Sequence, residues 1–153
     1  MKQPAWLTLD AVLAIHEQLV AEHGGSSLLR DRALLESALA GPMNHYAYGE
    51  RDLCALAAAY ANGLTRNHPF ADGNKRTAFI TAYTFLGINS RELAAPEEEV
   101  VKAVRGLSAR TISPEEFTAW LRRACVQKRT RKPKPRSSRR GWRAGPSSME
   151  CVA

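Results

Sequence analysis

Residues 68–76 read HPFADGNKR, a polar stretch that separates two apolar segments of the chain. The Ala-rich segment 52–66 and the apolar segment 75–86 both show helical periodicity, and the small residues of the first indicate a closely packed central helix. A turn that leads into a helix presents unpaired backbone N–H groups. Such a turn, followed here by Lys75 and Arg76, is typical of an anion-binding site.

Helical periodicity continues on both sides of this pair, and strand signals are nearly absent. Capping residues indicate four further helices, which begin near residues 8, 31, 96 and 113. Gly41-Pro42 is expected to end the second helix, and residues 41–51 are expected to form a loop. The sequence thus predicts an all-α fold, a compact bundle of about six helices with short connections.

Charge is divided unevenly along the chain. The 153 residues carry a formal charge of +7, which by itself favours a nucleic-acid or anionic-surface binder. Residues 1–126 hold 13 Lys/Arg and 14 Asp/Glu, net −1, whereas residues 127–153 hold 9 and 1, net +8. We predict a folded domain over 1–126 and a disordered basic tail over 127–153. Nucleic acid is therefore not an expected partner of the core, and only weak non-specific binding is expected of the tail.

Cysteine usage and hydropathy bear on the compartment. Cys54, Cys125 and Cys151 are odd in number and widely spaced, so neither a disulfide framework nor a zinc site is expected. The first residues do not resemble a signal peptide, and no stretch reaches the roughly 18 apolar residues of a membrane span. We expect a cytoplasmic protein with no membrane association.

The last four residues of the polar stretch have the chemistry of a phosphate cradle. Gly73 lets the backbone approach a ligand closely, and Asn74 adds an amide donor. Lys75 and Arg76 add two cations, of which the guanidinium is a planar fork suited to phosphate. Cations in a first helical turn oppose the helix dipole, and this conflict indicates a bound anion.

His68 and Asp72 add a base and a carboxylate beside the cradle, and both groups suit a group-transfer reaction. A carboxylate beside a phosphate site is explained by Mg²⁺, which binds one or two carboxylates together with phosphate oxygens. Imidazole is the usual general base that takes a proton from a hydroxyl. The set favours transfer of a nucleotide-derived group to a hydroxyl. The residues leave three alternatives open, namely a turn that caps the next helix, half of a transition-metal site and a solvated first turn.

The stretch HPFADGNKR resembles the Fic motif, roughly H-x-F-x-(D/E)-G-N-(G/K)-R, and Lys75 resembles the Doc (death-on-curing) branch of that family. The similarity extends over about residues 5–124, including the segments DAVLAIHEQL, RDRALLESALAGP and LAAAYANGLTR. The resemblance implies a Fic/Doc fold over the domain of residues 1–126.

For the site, the resemblance implies that His68 is the general base that activates a Ser or Thr hydroxyl of a protein target. Asp72 is expected to orient Mg²⁺, and Phe70 is expected to be a buried anchor for the loop. Four residues are expected to bind the phosphates of ATP, the two cations among them being catalytic as well: Gly73, Asn74, Lys75 and Arg76.

Position 75 distinguishes two reactions within the family. Fic AMP-transferases carry Gly there, whereas Doc carries Lys, binds the nucleotide reversed and transfers the γ-phosphate. The resemblance therefore implies a toxin kinase that phosphorylates a translation factor, elongation factor Tu, and halts translation. Two residues depart from the patterns: Gly73 stands where Doc has Ala, and Phe79 where the Fic motif has a second Arg. An AMP-transferase and an inactive Fic-fold binding module are the alternative hypotheses.

Residues 41–51 correspond, by the resemblance, to a flap over the site where a target segment docks. His45, Tyr46 and Tyr48 are candidate contacts of the target or of ATP, with packing against the central helix as the alternative. No Glu is followed by Gly or Asn, which the inhibitory helix of many Fic enzymes requires. The resemblance therefore implies an inhibitor in trans, a Phd-like antitoxin whose C-terminal segment folds over the site.

Overall fold

The computed structural model describes residues 3–127, which form six helices and one two-stranded sheet. The helices are α1 (Leu9–His23), α2 (Arg32–Ala47), α3 (Leu53–Asn67), α4 (Asn74–Ile88), α5 (Glu97–Ala109) and α6 (Pro114–Ala124). Strands β1 (Arg91–Leu93) and β2 (Cys125–Gln127) pair antiparallel, and the sequence predicted neither of them. The prediction of a helical bundle of about six helices is confirmed.

Two other predictions concern the C-terminal tail and the absence of a membrane span. The disordered tail predicted over 127–153 lies, apart from residue 127 in β2, outside the described residues. The division into a domain and a tail therefore stays a prediction. None of the described helices combines the length and the apolar character that crossing a membrane requires.

Local sequence explains where most helices begin. Thr8, Asp31 and Asp52 cap α1, α2 and α3, each side chain accepting a hydrogen bond from a first-turn backbone N–H. Ser113 opens α6 with a complete capping box. Helices α4 and α5 have no side-chain cap: α5 begins after Pro96, and α4 begins after its N-cap Gly73. The uncapped start of α4 lies inside the polar stretch.

Helix α3 is the centre of the bundle, in agreement with its Ala-rich sequence. It packs against α2, α4, α5 and α6. Five of its side chains are almost completely buried: Leu56, Ala57, Tyr60, Ala61 and Leu64. Because α3 ends at Asn67, directly before the polar stretch, this anchoring fixes where the candidate site begins.

The predicted end of the second helix is wrong, since α2 continues through the buried Pro42 to Ala47 and the loop predicted from residue 41 begins only there. Pro42 has no N–H and cannot donate to the carbonyl of Ala38, four residues earlier. That carbonyl faces Gly63 of α3, where an added Cβ would lie 3.1 Å from it. The close approach of α2 and α3 therefore holds the helix together across a residue that locally disfavours it.

Replacing Gly63 by Ala is expected to lower the free energy of unfolding by about 1–3 kcal/mol. The new Cβ would lie 3.1 Å from both the Cα and the carbonyl oxygen of Ala38, so the two helices would have to move apart. Gly87 of α4 is a matched control, because an added Cβ there meets nothing within 4 Å. Urea unfolding of both variants measures the difference, and equal stabilities would contradict the close contact.

The two described cysteines, Cys54 and Cys125, are free thiols. Burial raises the pKa of the Cys54 thiol to about 12, and the neighbouring Cys125 adds to the rise. The folded protein thus keeps this proton at a pH where the unfolded chain loses it, so stability falls as pH rises above about 9. Iodoacetamide at pH 8 is expected to alkylate Cys125 well before Cys54 in peptide mass spectrometry. Equal rates would contradict the buried, protonated state.

Candidate active site

Two loops pack side by side beneath the candidate site, residues 68–73 between α3 and α4 and residues 24–31 between α1 and α2. Leu29 and Phe70 form an isolated antiparallel bridge between them. Three backbone hydrogen bonds of 2.8–3.1 Å join the loops: Ala71 to Leu28, Arg30 to Pro69 and Asp31 to Pro69. Residues 69–71 of the polar stretch are therefore held against the neighbouring loop and do not form a free turn.

Phe70 lies in the core with 1 % of its surface exposed. Its ring stacks on the imidazole of His16 from α1, with 3.7 Å between the ring centroids and 9° between the planes. His16 Nε2 lies 2.7 Å from the backbone oxygen of Asp72. Sequence reasoning missed His16, although a histidine four residues after Val12 on the buried face of α1 is a detectable signal.

Asn74 points inward and holds the loop closed. Its Oδ1 accepts a hydrogen bond from the backbone N–H of Phe70 at 3.0 Å, and its Nδ2 donates to the Phe70 carbonyl at 2.8 Å. Nδ2 also lies 3.1 Å from Nδ1 of His68. The side-chain amide is thus committed within the loop, and the group of Asn74 that remains for a phosphate is its backbone N–H.

His68 stands at the end of α3 in a left-handed backbone conformation, with φ 52° and ψ 53°. This conformation is costly for a residue other than glycine. The guanidinium of Arg30 stabilises it by donating to the His68 carbonyl through Nε at 3.0 Å and Nη2 at 2.6 Å. Arg30, which sequence reasoning did not single out, therefore helps to keep the exposed His68 side chain in place.

The contact with Asn74 determines which nitrogen of His68 carries the proton. An amide nitrogen can only donate, so Nδ1 of His68 accepts this hydrogen bond. The neutral imidazole in this arrangement carries its proton on Nε2. The lone pair that would accept a proton from a substrate is thus engaged by the loop itself.

Asp72 is exposed, and one of its carboxylate oxygens is already used. Oδ2 accepts a hydrogen bond from the backbone N–H of Ser26 at 2.9 Å, whereas Oδ1 has no partner among residues 3–127. Those residues contain no cluster of three or more side chains suited to a metal. The single carboxylate of Asp72 still suits Mg²⁺, because this ion can take one protein carboxylate together with phosphate oxygens. The donor set does not fit a transition-metal site built from protein side chains alone.

The start of α4 leaves donors free for an anion. Gly73 adopts φ 81° as its N-cap, a conformation that favours glycine. The backbone N–H groups of residues 74–76 find no acceptor in the part of the chain that the structure describes. Lys75 and Arg76 are both exposed beside them. These donors and cations are adjacent, which is the arrangement that the predicted phosphate cradle requires, and phosphate binding itself stays a prediction.

A cleft of about 530 Å³ opens in front of the cradle. It joins the polar stretch, from His68 to Arg76, to the facing side of α5. The far wall, on α5, is formed by the apolar side chains of Val100, Val101 and Val104 together with Glu97, and Phe79 adds an apolar ring from α4. Arg105 brings a further cation to that wall, and sequence reasoning did not identify it. The cleft therefore offers an anion-binding end and an apolar surface, which suits a nucleotide.

The three residues predicted on the flap lie elsewhere. His45 and Tyr46 belong to the last turn of α2, and Tyr48 is its 92 % exposed C-cap. None of the three lines the cleft. Tyr46 packs edge-on against Trp6, with 5.7 Å between the ring centroids, and lies beneath the guanidinium of Arg51. These contacts give Tyr46 a packing role, and contact of the three residues with a target or ATP stays a prediction.

The fold and the cleft define a helical protein with a polar, cation-bearing loop at the start of its fourth helix. A match to the Fic/DOC family covers residues 6–86, and the chain belongs to that family, as the motif predicted. Over 75 residues the chain is 47 % identical to Toxin Doc of Mycolicibacterium smegmatis, covering 47 % of this chain and 57 % of that relative. Over 115 residues it is 29 % identical to Protein kinase doc of Escherichia phage P1, covering 74 % of this chain and 90 % of the relative.

Proposed function

We propose that this protein is a Doc-type toxin kinase that transfers the γ-phosphate of ATP to a Ser or Thr hydroxyl of a protein target. The observation that carries the proposal is one cleft holding an exposed imidazole at His68, unpaired first-turn N–H groups and the cations Lys75 and Arg76. The phage relative named Protein kinase doc supports phosphate transfer. By the family resemblance, the target is elongation factor Tu and the result is a halt in translation.

The chain's own residues supply binding, orientation and a proton acceptor. The N–H groups of residues 74–76, with Lys75 and Arg76, bind the phosphates. His68 takes the proton of the target hydroxyl while its oxygen bonds to the γ-phosphorus and ADP leaves. Mg²⁺, when bound through the free Oδ1 of Asp72, neutralises phosphate charge. No covalent intermediate on the protein is needed.

Base catalysis requires a change at His68. Its Nδ1 accepts a hydrogen bond from Asn74, so Nε2 carries the proton in the arrangement described above. The target hydroxyl must therefore displace Asn74 from Nδ1, or the ring must change tautomer and release it. By either route the free protein is a resting form, and His68 becomes able to accept a proton when the target arrives.

An antitoxin partner follows from the same proposal. The M. smegmatis relative is named Toxin Doc, and a toxin must be restrained in the cell that makes it. We propose a Phd-like antitoxin whose C-terminal segment covers the cleft. The apolar wall that includes Val101, 41 % exposed, is a suitable surface for it.

The experiment that tests the reaction uses the full chain with a cell extract, Mg²⁺ and ATP labelled on either the α- or the γ-phosphate. We expect γ-label on a single protein and expect purified elongation factor Tu to reproduce it. Label from the α-phosphate would instead establish AMP transfer, and label from neither would favour an inactive binding module. Arg66→Ala is the control for substitutions in the polar stretch, because the Arg66 side chain is exposed near the end of α3 and makes no hydrogen bond among residues 3–127.

Arg105 is expected to contribute to nucleotide binding from the far wall of the cleft. Arg105→Ala should weaken ATP binding by about threefold to tenfold, since a charge-assisted contact at an exposed position is worth about 1 kcal/mol. Lys102→Ala is the control, because Lys102 is exposed on the same helix but lies outside this cleft. Titration with ATP and Mg²⁺ by calorimetry measures both variants, and equal affinities would remove Arg105 from the site.

A further inference from the structure

His16 is a buried imidazole that the proposed reaction does not use. It is 2 % exposed, and its ring lies flat against Phe70. Its Nε2 lies 2.7 Å from the carbonyl oxygen of Asp72, which can only accept a hydrogen bond. Nε2 of His16 therefore carries a proton and donates a hydrogen bond to the backbone of the polar stretch, 56 residues further along the chain.

We infer that His16 is a positioning residue for the phosphate cradle and acts through the peptide group that joins Asp72 to Gly73. This inference rests on the proposed function. The carbonyl of Asp72 and the N–H of Gly73 belong to that one peptide group. A hydrogen bond to the carbonyl polarises the peptide and makes its N–H a stronger donor. The Gly73 N–H has no acceptor among the described residues, and it points away from His16 because the C=O and N–H of a trans peptide point in opposite directions. Gly73 lines the cleft, so we add this N–H to the cradle donors of residues 74–76.

The surrounding contacts hold this peptide in one orientation. His16 holds its carbonyl, while Ser26 holds the side chain of the same Asp72 through Oδ2. A Cβ added to Gly73 would lie 3.6 Å from Cδ2 and Nε2 of His16, so the imidazole lies directly against the N-cap of α4. Loss of the His16 donor frees the peptide to rotate, so its N–H loses the fixed direction that the contact with His16 gives it.

Two substitutions separate this role from simple packing. His16→Phe keeps a flat ring against Phe70 but removes the donor, whereas His16→Gln removes the ring and keeps an amide nitrogen of similar reach. If His16 only fills space, the affinity for ATP will follow stability, and Phe will be the better replacement. If His16 positions the peptide, the affinity will follow the donor, and Gln will restore it.

The experiment measures ATP and Mg²⁺ binding to the full-length wild type and both variants, alongside the unfolding free energy of each. We expect His16→Phe to bind ATP about tenfold more weakly, which corresponds to about 1.4 kcal/mol, and His16→Gln to bind within about twofold of wild type. Wild-type affinity in His16→Phe, or equal weakening in both variants, would overturn the inference.

A second measurement covers the case in which a variant is poorly folded. The ¹⁵N–¹H signal of Gly73 in the wild type is expected to move upfield in His16→Phe and to stay in His16→Gln, because it reports the hydrogen bond on its own peptide. An unmoved Gly73 signal in His16→Phe would overturn the inference. ATP binding that depends on His16, without γ-phosphate transfer to any protein, would instead overturn the proposed kinase and keep the inference. Absence of ATP binding by the wild type would overturn both.

Discussion

Replacing His68 by Ala is expected to lower the rate of γ-phosphate transfer by about 10²–10⁴-fold, the range for loss of a general base. The side chain is exposed, so its removal leaves no cavity in the core. Its one side-chain hydrogen bond among residues 3–127 is the contact of Nδ1 with Asn74. The backbone bonds from Arg30 to its carbonyl do not depend on the imidazole. The rate is measured with γ-labelled ATP and the purified target.

Two further measurements on the same variant show that the loss is chemical. The affinity for ATP should stay within about twofold, because the phosphate donors belong to residues 74–76. The urea midpoint should stay close to that of wild type, since the substitution is at an exposed position. A His68→Ala protein that transfers phosphate at more than about a tenth of the wild-type rate would exclude His68 as the base.

The sequence predicted the helices and the polar stretch well because both signals are local. Thr8, Asp31 and Ser113 cap the helices that they were expected to begin, and the polar stretch lies between two helices, as the two apolar segments on either side of it predicted. Capping, periodicity and turn chemistry act over a few residues and can be read without knowing the fold. The family match over residues 6–86 confirms the resemblance that the motif carried.

The error at Pro42 has a non-local cause. Breaker residues there predict the end of a helix, but the helix continues because Gly63 of α3 allows a close approach to Ala38. That contact joins positions 25 residues apart, which no local pattern reveals. Tertiary packing thus outweighs local propensity in α2, as it commonly does.

The contacts that support the site were also hidden by distance along the chain. His16 meets Asp72, and Arg30 meets His68, across separations of 56 and 38 residues. The far wall of the cleft comes from α5, which a single sequence cannot place opposite α4. Asn74 was expected to offer its amide to a phosphate, yet the structure turns that amide inward. Residue types were therefore predictable in the polar stretch, while their orientations depended on the fold.

Replacing Asn74 by Ala is expected to cost about 2–6 kcal/mol of unfolding free energy. The side chain satisfies both the N–H and the C=O of Phe70, which is itself 1 % exposed. Each buried group left without a partner costs about 1–3 kcal/mol. Chemical unfolding followed by circular dichroism measures the change, which is the largest expected here from a single substitution in the site.

The matched control is Asn67→Ala, at the end of α3. Asn67 is half-buried, and its Nδ2 donates one hydrogen bond, to the carbonyl of Leu34 at 2.8 Å. Its loss should cost about 1 kcal/mol, the usual worth of one such bond. Phosphate transfer should fall much further in Asn74→Ala, because release of Phe70 also moves His68 and the start of α4. If the two variants lose equal stability, Asn74 does not hold the loop, and its contact with Nδ1 of His68 does not determine the resting form of the base.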